Sequence, residues 1–216
     1  DGLLLDADNT LLHFDESERA ALLRTLGLTR QETRAADRVV DAFHAINARL
    51  WRSFEAGTID QATLRVERFE RLTRELRLEA DPRRLAQDYI ENLSREAHLR
   101  PHALAVLRWL RSRGVRLALV SNGIARVQRA RLARIVRHFD AILISEEIGI
   151  AKPDRRFFDL AVERLALPRE RVLCVGDSPS SDIRGGCSAG LATCWYAYPP
   201  RPYPPEEPEP DYRIED

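Results

Sequence analysis

The sequence predicts an α/β fold: a doubly wound, mostly parallel sheet with an α-helical unit inserted after its first strand. Three observations carry this. Four short apolar runs, Gly2 to Asp6, Val115 to Val120, Ala141 to Ile144 and Val172 to Val175, have the unbroken apolar character of strands buried on both faces. Amphipathic segments alternate with the later runs: His102 to Arg113 closing at Gly114, Ala125 to Val136, Arg155 to Leu165, and Ser181 to Ala189 closing at Gly190. The stretch from Asp15 to Arg100 breaks that rhythm, with helical periodicity and no strand-like run.

Taken in order, Gly2 to Asp6 is the first strand and leads straight into the insert. There, Leu22, Leu23 and Leu26 form one apolar stripe. Val39, Val40, Phe43, Ile46 and Leu50 form a second, and Leu64, Phe69, Leu72 and Leu76 a third. Breaks at Gly27, Gly57 and Asp81-Pro82 divide the insert into about four helices, with Asp60 and Asp81 as N-caps. The predicted organisation is a Rossmann-like core of residues 1–14 and 101–216 and a helical unit of residues 15–100. In the core, Asp154 is placed to cap the helix that follows it. Tyr198 to Pro210, rich in Pro and Glu, reads as a surface connection. The chain has no Met and opens directly on a strand, so its natural start is expected upstream; the end, Asp211 to Asp216, reads as a strand and helix entry and is expected to be clipped too.

Charge excludes several classes of function. The 34 basic and 34 acidic residues cancel, so no bulk field holds a nucleic acid polymer or an anionic membrane surface, and anion binding must be local. No apolar run approaches the roughly 18 residues of a membrane span, and no basic-then-apolar leader opens the chain; a cytoplasmic location is expected. Cys174, Cys187 and Cys194 are odd in number and lack metal-ligand spacing, which points to reduced core residues. Of the 34 basic residues only Lys152 is Lys, leaving 33 Arg.

In a doubly wound sheet ligands bind beyond the carboxyl ends of the strands, so the residues just after each strand are the ones to read. The first strand ends in Asp6-Ala7-Asp8-Asn9-Thr10, which is either a turn or a pair of carboxylates awaiting a hard cation such as magnesium. After the last apolar run, Gly176 offers close approach to such an ion, Asp177 a further carboxylate, and Asp182 either a helix cap or a group that orients a neighbour. Ser121, followed by Asn122 and Gly123, can donate to a phosphate oxygen or sit inert at a strand end. Lys152 stands out because Arg has replaced Lys everywhere else. A compact ammonium is kept where a planar guanidinium fork would not serve.

Together these four stations resemble the haloacid-dehalogenase superfamily, whose phosphatases carry Asp-x-Asp-x-Thr, a strand-ending Ser or Thr, a Lys, and a terminal Gly-Asp with a further Asp. The helical insert looks like that family's cap. Asp6 to Leu11, Asn47 to Ile59 and Gly190-Leu191-Ala192-Thr193-Cys194-Trp195 are similar to the noncanonical pyrimidine 5′-nucleotidases. The resemblance implies a magnesium-dependent phosphatase for a small phosphate ester, in which Asp6 attacks phosphorus and Asp8 protonates the leaving alcohol. Magnesium would rest on Asp6, the Asp8 carbonyl and Asp177. Thr10, Ser121, Asn122 and Lys152 would serve the phosphate, with Asp182 behind them. Substrate choice would fall to the cap, where Trp51, Phe54 and Glu55 border Gly57; the two aromatics either stack on a base or belong to the core. The implied substrates are nucleoside 5′-monophosphates, with sugar phosphates or phosphoglycolate as the alternative. A phosphomutase or a signalling phosphoacceptor are the remaining readings; Asp8 and the insert argue against the phosphoacceptor.

Overall fold

The structure, a computed structural model, describes residues 1–28 and 33–215. It divides into two compact units, one formed by Asp1–Phe14 with Ala97–Asp216 and the other by Asp15–Glu96. Among the described residues, the first unit holds one six-stranded sheet. Its strands are β1 (Gly2–Asp6), β2 (Arg116–Ser121), β3 (Ala141–Ile144), β4 (Val172–Gly176), β5 (Ala192–Tyr196) and β6 (Tyr212–Ile214). They run parallel in the order β3-β2-β1-β4-β5-β6. The chain winds outward from β1 through β2 to β3 and, in the other direction, through β4 to β6. The winding reverses at β1, which opens a crevice beyond its carboxyl end, where Asp6 stands.

Side-chain alternation explains the apolar runs. Leu4, Ala118 and Val120 point into a cluster with Phe157, Phe158 and Ala161, while Leu5, Leu117 and Leu119 point into the opposite one with Leu107, Leu132 and Ile135. Both faces of the central strands are covered, so their inner positions are apolar. Helices α5 (Ala103–Ser112) and α6 (Ala125–Leu132) supply residues to the second cluster, and α8 (Arg155–Leu165) to the first. A short helix, α7 (Ser145–Ile148), follows β3. Helix α8 starts where Asp154 accepts from the Arg156 amide at 2.9 Å, as its sequence predicts. Burying its Phe157 and Phe158 contributes about 1.5–3 kcal/mol each.

Three elements differ from expectation. Helix α6 stops at Leu132, short of the expected Val136, and a 3-10 turn covers Val136–His138. Before α9 (Arg184–Ser188) a wide π turn, Pro179–Ile183, replaces the first part of the predicted helix; Ser178 caps it by accepting from the Ser181 amide. Strand β5 escaped the sequence reading because Thr193 and Cys194 interrupt its apolar pattern, although Thr193 and Trp195 are fully buried. The Pro-rich connection packs on that strand: Tyr203 meets the Trp195 ring edge-on at 4.8 Å.

The second unit is helical throughout its regular elements: α1 (Phe14–Thr25, whose first residue belongs to the first unit), α2 (Thr33–Glu55), α3 (Gln61–Leu76) and α4 (Pro82–Ser94). Asp60 caps α3 by accepting from the Thr63 amide at 2.7 Å, and Asp81 caps α4 with Pro82 at its first position. Leu22, Phe43, Ile46, Leu50, Leu64, Phe69, Leu72 and Tyr89 form the interior. Among them lies a buried polar group: Glu18 accepts from Asn47 Nδ2 at 2.9 Å and from the Tyr89 hydroxyl at 3.3 Å, and pairs with His44 Nε2 at 2.9 Å.

Candidate active site

Asp6 closes β1, directly beside Val120 of β2. Its side chain is almost wholly buried, and Oδ1 accepts from Lys152 Nζ at 2.7 Å. Lys152 is itself 2% exposed and spends its three donors on Asp6 Oδ1, on Asp182 Oδ1 at 2.7 Å and on the Val120 carbonyl at 3.2 Å. This is the geometric content of the lone Lys: a three-donor point charge among three acceptors, which a flat guanidinium cannot reproduce. Each N–H of Lys152 thus has a protein acceptor.

Asp182 does not cap a helix. Its Oδ1 holds Lys152 and its Oδ2 accepts from the Ser178 amide at 3.1 Å, while Ser178 does the capping. Gly176 makes room for this residue: a Cβ there would fall 2.2 Å from Asp182 Oδ2. Asn122 also differs from expectation. Both polar atoms of its side chain clamp the Lys152 main chain, Oδ1 accepting from the amide and Nδ2 donating to the carbonyl, each at 2.8 Å, so its amide group is not turned to a phosphate. Thr10 Oγ1 is enclosed without a hydrogen-bond partner among the described residues. The Asp6-to-Thr10 segment is a turn as well as a site. Asn9 takes a positive φ of 61°, which Asn tolerates, and the amides of Leu11 and Leu12 both donate to the Ala7 carbonyl.

Carboxylate oxygens of Asp6, Asp177 and Asp182 lie within 4.8 Å of one another. Burial pushes the Asp6 carboxyl well above the ordinary carboxylate range; Lys152 pulls it down, and Asp182, Asp177 and Asp8 push it up. Burial likewise raises Asp177 to about 7, with Asp182 adding to it and Arg201 and Lys152 opposing. For the Lys152 ammonium, burial alone would lower the pKa, but Asp182 and Asp6 outweigh it and hold it above its ordinary value. The negative charge is undercompensated, which fits a hard divalent cation. With Asp182 engaged at both oxygens, Asp6 and Asp177 are the side chains left to hold one.

Asp6, Ser121 and Asp177 therefore stand at the carboxyl ends of β1, β2 and β4, with Lys152 joining Asp6 to Asp182. A family model described as haloacid dehalogenase-like hydrolase matches residues 1–190. The chain belongs to the haloacid dehalogenase-like hydrolases. It is 36% identical over 198 residues to the pyrimidine 5′-nucleotidase YjjG of Escherichia coli, covering 90% of this chain and 85% of that one. It is 35% identical over 239 aligned positions to a phosphoserine phosphatase of Thermus thermophilus, covering 99% and 95%. The crystal structure of the HAD-hydrolase YfnB of Bacillus subtilis, bound to magnesium, superposes with a TM-score of 0.87 at 32% identity, covering 99% of this chain and 93% of that one. Among the described residues of this hydrolase, no helix is long and apolar enough to cross a membrane.

Sequence reading missed four residues around this hydrolase site. Trp195 Nε1 and Arg201 Nη2 donate to the Asp177 carbonyl at 2.8 and 2.7 Å, and Arg201 also reaches its Oδ2 at 3.3 Å. Gln128 Nε2 and Arg131 Nη1 donate to the two oxygens of Asp8, at 2.6 and 2.5 Å. Trp195 ends a stretch quoted for the resemblance but had no role assigned; nothing local marks the others, since Arg131 is one of 33 Arg and Arg201 lies in the Pro-rich connection. Trp51 and Phe54 meet edge-on at 5.4 Å near the end of α2, both half-buried like Glu55.

Proposed function

We propose that this hydrolase is a magnesium-dependent phosphomonoesterase that works through an aspartyl-phosphate on Asp6, with nucleoside 5′-monophosphates as its substrate class. The observation that carries the reading is the state of Asp6. One carboxylate oxygen is tethered by Lys152, and Asp8 stands two residues on. The other oxygen, Oδ2, has no hydrogen-bond partner among the described residues and is left to attack phosphorus. As the Asp6 Oδ2–phosphorus bond forms, the bond to the ester oxygen breaks and Asp8 gives that oxygen its proton. Asp8 then takes a proton from water, whose oxygen displaces Asp6 from phosphorus, releasing inorganic phosphate and restoring both carboxyl groups. Splitting one displacement into two lowers each barrier.

Magnesium held by Asp6, Asp177 and the Asp8 carbonyl would supply the positive charge that offsets the crowded carboxylates and the phosphoryl oxygens. Lys152 adds a fixed charge at the same place, and the Ser121 hydroxyl a donor. Identity to a pyrimidine 5′-nucleotidase over most of both chains supports the nucleotide class. The nearly full-length match to a phosphoserine phosphatase supports a second reading, a small phosphorylated metabolite of another kind. We assign the choice between them to the helical unit, with Trp51, Phe54 and Glu55 as the residues to vary. A phosphate-release screen over nucleoside monophosphates, phosphoserine, sugar phosphates and phosphoglycolate tests the proposal. Release from a pyrimidine monophosphate at the highest kcat/KM supports it; release from none of them with magnesium present removes the phosphatase reading.

A further inference from the structure

Gln128 occupies a position that the reaction outlined above does not use. It lies on α6, is 1% exposed, and sends one amide nitrogen to two groups at once: Nε2 donates to Asp8 Oδ2 at 2.6 Å and to Ser121 Oγ at 2.7 Å. Its orientation is fixed from the other side, where Oε1 accepts from Arg131 Nη1 at 3.4 Å. Arg131, one helical turn on and also buried, donates to the second oxygen of Asp8 at 2.5 Å. The Asp8 carboxyl group, 120 and 123 positions away in sequence, is thus held at both oxygens by two side chains of one helix face.

The effect on Ser121 is equally specific. Its hydroxyl oxygen accepts from the Gly123 amide at 3.0 Å and from Gln128. A hydroxyl has two acceptor lone pairs and one proton. With both lone pairs taken, the proton of Ser121 is turned away from these donors and free to be given to a phosphoryl oxygen. Room for the amide is made by Gly123, where a Cβ would fall 2.4 Å from Gln128 Nε2 and 2.6 Å from its Cγ.

We infer that Gln128 is a positioning residue for the phosphoryl-transfer step: it holds the acid Asp8 with Arg131 and aims the Ser121 proton. The inference rests on the phosphatase reading. Its signature is in the leaving group, because a basic leaving oxygen needs the proton from Asp8 and a weakly basic one does not. Phenyl phosphate and p-nitrophenyl phosphate differ mainly in that respect and carry no nucleoside, so the comparison is independent of natural substrate.

The experiment measures kcat and KM for both esters, with magnesium, for the wild-type chain, Gln128→Met and Gly123→Ala. Met keeps the length of Gln without its donor; the added Cβ of Ala at 123 drives Gln128 off its partners while leaving Gln128 itself unchanged. Circular dichroism and thermal melting select folded protein. We expect kcat for phenyl phosphate to fall roughly 10- to 100-fold in each variant, KM to change little, and the loss on p-nitrophenyl phosphate to be about tenfold smaller. Equal losses on both esters, or wild-type rates in both folded variants, would overturn the positioning role while the phosphatase reading stands. A wild-type chain that releases phosphate from neither ester would overturn both. Should Gln128→Met fail to fold, Gly123→Ala decides alone.

Discussion

Each unit of the molecule buries a charged cluster, and the two are built to opposite ends. In the helical unit Glu18 is met by Asn47, Tyr89 and His44, and the Arg68 guanidinium lies 4.5 to 5.7 Å from the ring centres of Tyr89, Phe69 and Phe43. Those three rings are 5.4 Å from one another. The acid is met by donors and the base by ring faces, so charge is offset locally, although Arg68 Nε and Nη2 have no hydrogen-bond partner among the described residues. In the sheet unit Asp6 and Asp182 share Lys152, while Asp177, with a carboxylate oxygen within 4.8 Å of theirs, has Arg201 at 3.3 Å. Three acids there face two bases, and the negative charge left over is what a cation would offset. Buried charge alone does not mark a site; buried charge left out of balance does.

Changes at the two clusters should therefore separate activity from stability. Asp6→Asn is expected to lower kcat by roughly 10⁴-fold or more, while its melting temperature without magnesium does not drop, because a like charge has been removed from a crowded site. Melting and phosphate release on the same preparation check both halves. Glu18→Ala should do the reverse. It strips partners from Asn47, Tyr89 and His44 and is expected to cost about 3–5 kcal/mol in urea unfolding. Lys152→Arg keeps the charge but cannot match three acceptors with one nitrogen, so kcat should fall on the order of 10²-fold; a wild-type rate would show that charge alone suffices.

The smallest effect is in pH. The hydrogen bond to Glu18 raises the pKa of His44 above its ordinary 6.5, against a partial desolvation that lowers it. A folded-state pKa above the unfolded one adds stability that is complete below about pH 6.5 and is lost as pH rises through the folded value. The difference in urea midpoint between the wild-type chain and His44→Gln should thus be largest near pH 5.5 and shrink toward pH 9. His44 is half-exposed, so the shift is expected to be small.

How much of this could be read from sequence depended on whether a residue's role was set locally. Lys152 was legible because composition isolates it, and Asp60, Asp81 and Asp154 because a cap is a matter of adjacent residues. The four apolar runs were legible because burial on both faces admits little else. Strand β5 was not, since Thr193 and Cys194 are buried against the sheet without looking apolar in a run. Asp182 gave two equal readings until Gly176 was seen to leave it space beside Lys152. Gln128 and Arg131 were invisible because their partner, Asp8, is 120 and 123 residues away, and only the packing of α6 brings them to it.

The central claim is that Asp6 carries the phosphoryl group, and it can be tested by trapping that group. The Asp8→Asn variant, which lacks the base for hydrolysis, would be mixed with ³²P-labelled p-nitrophenyl phosphate and magnesium, quenched in acid, and its labelled peptide mapped. The account predicts an alkali-labile phosphate on Asp6, absent when Asp6→Asn is added to the same chain. Label on Ser121 or any other residue, or labelling that survives Asp6→Asn, would contradict it.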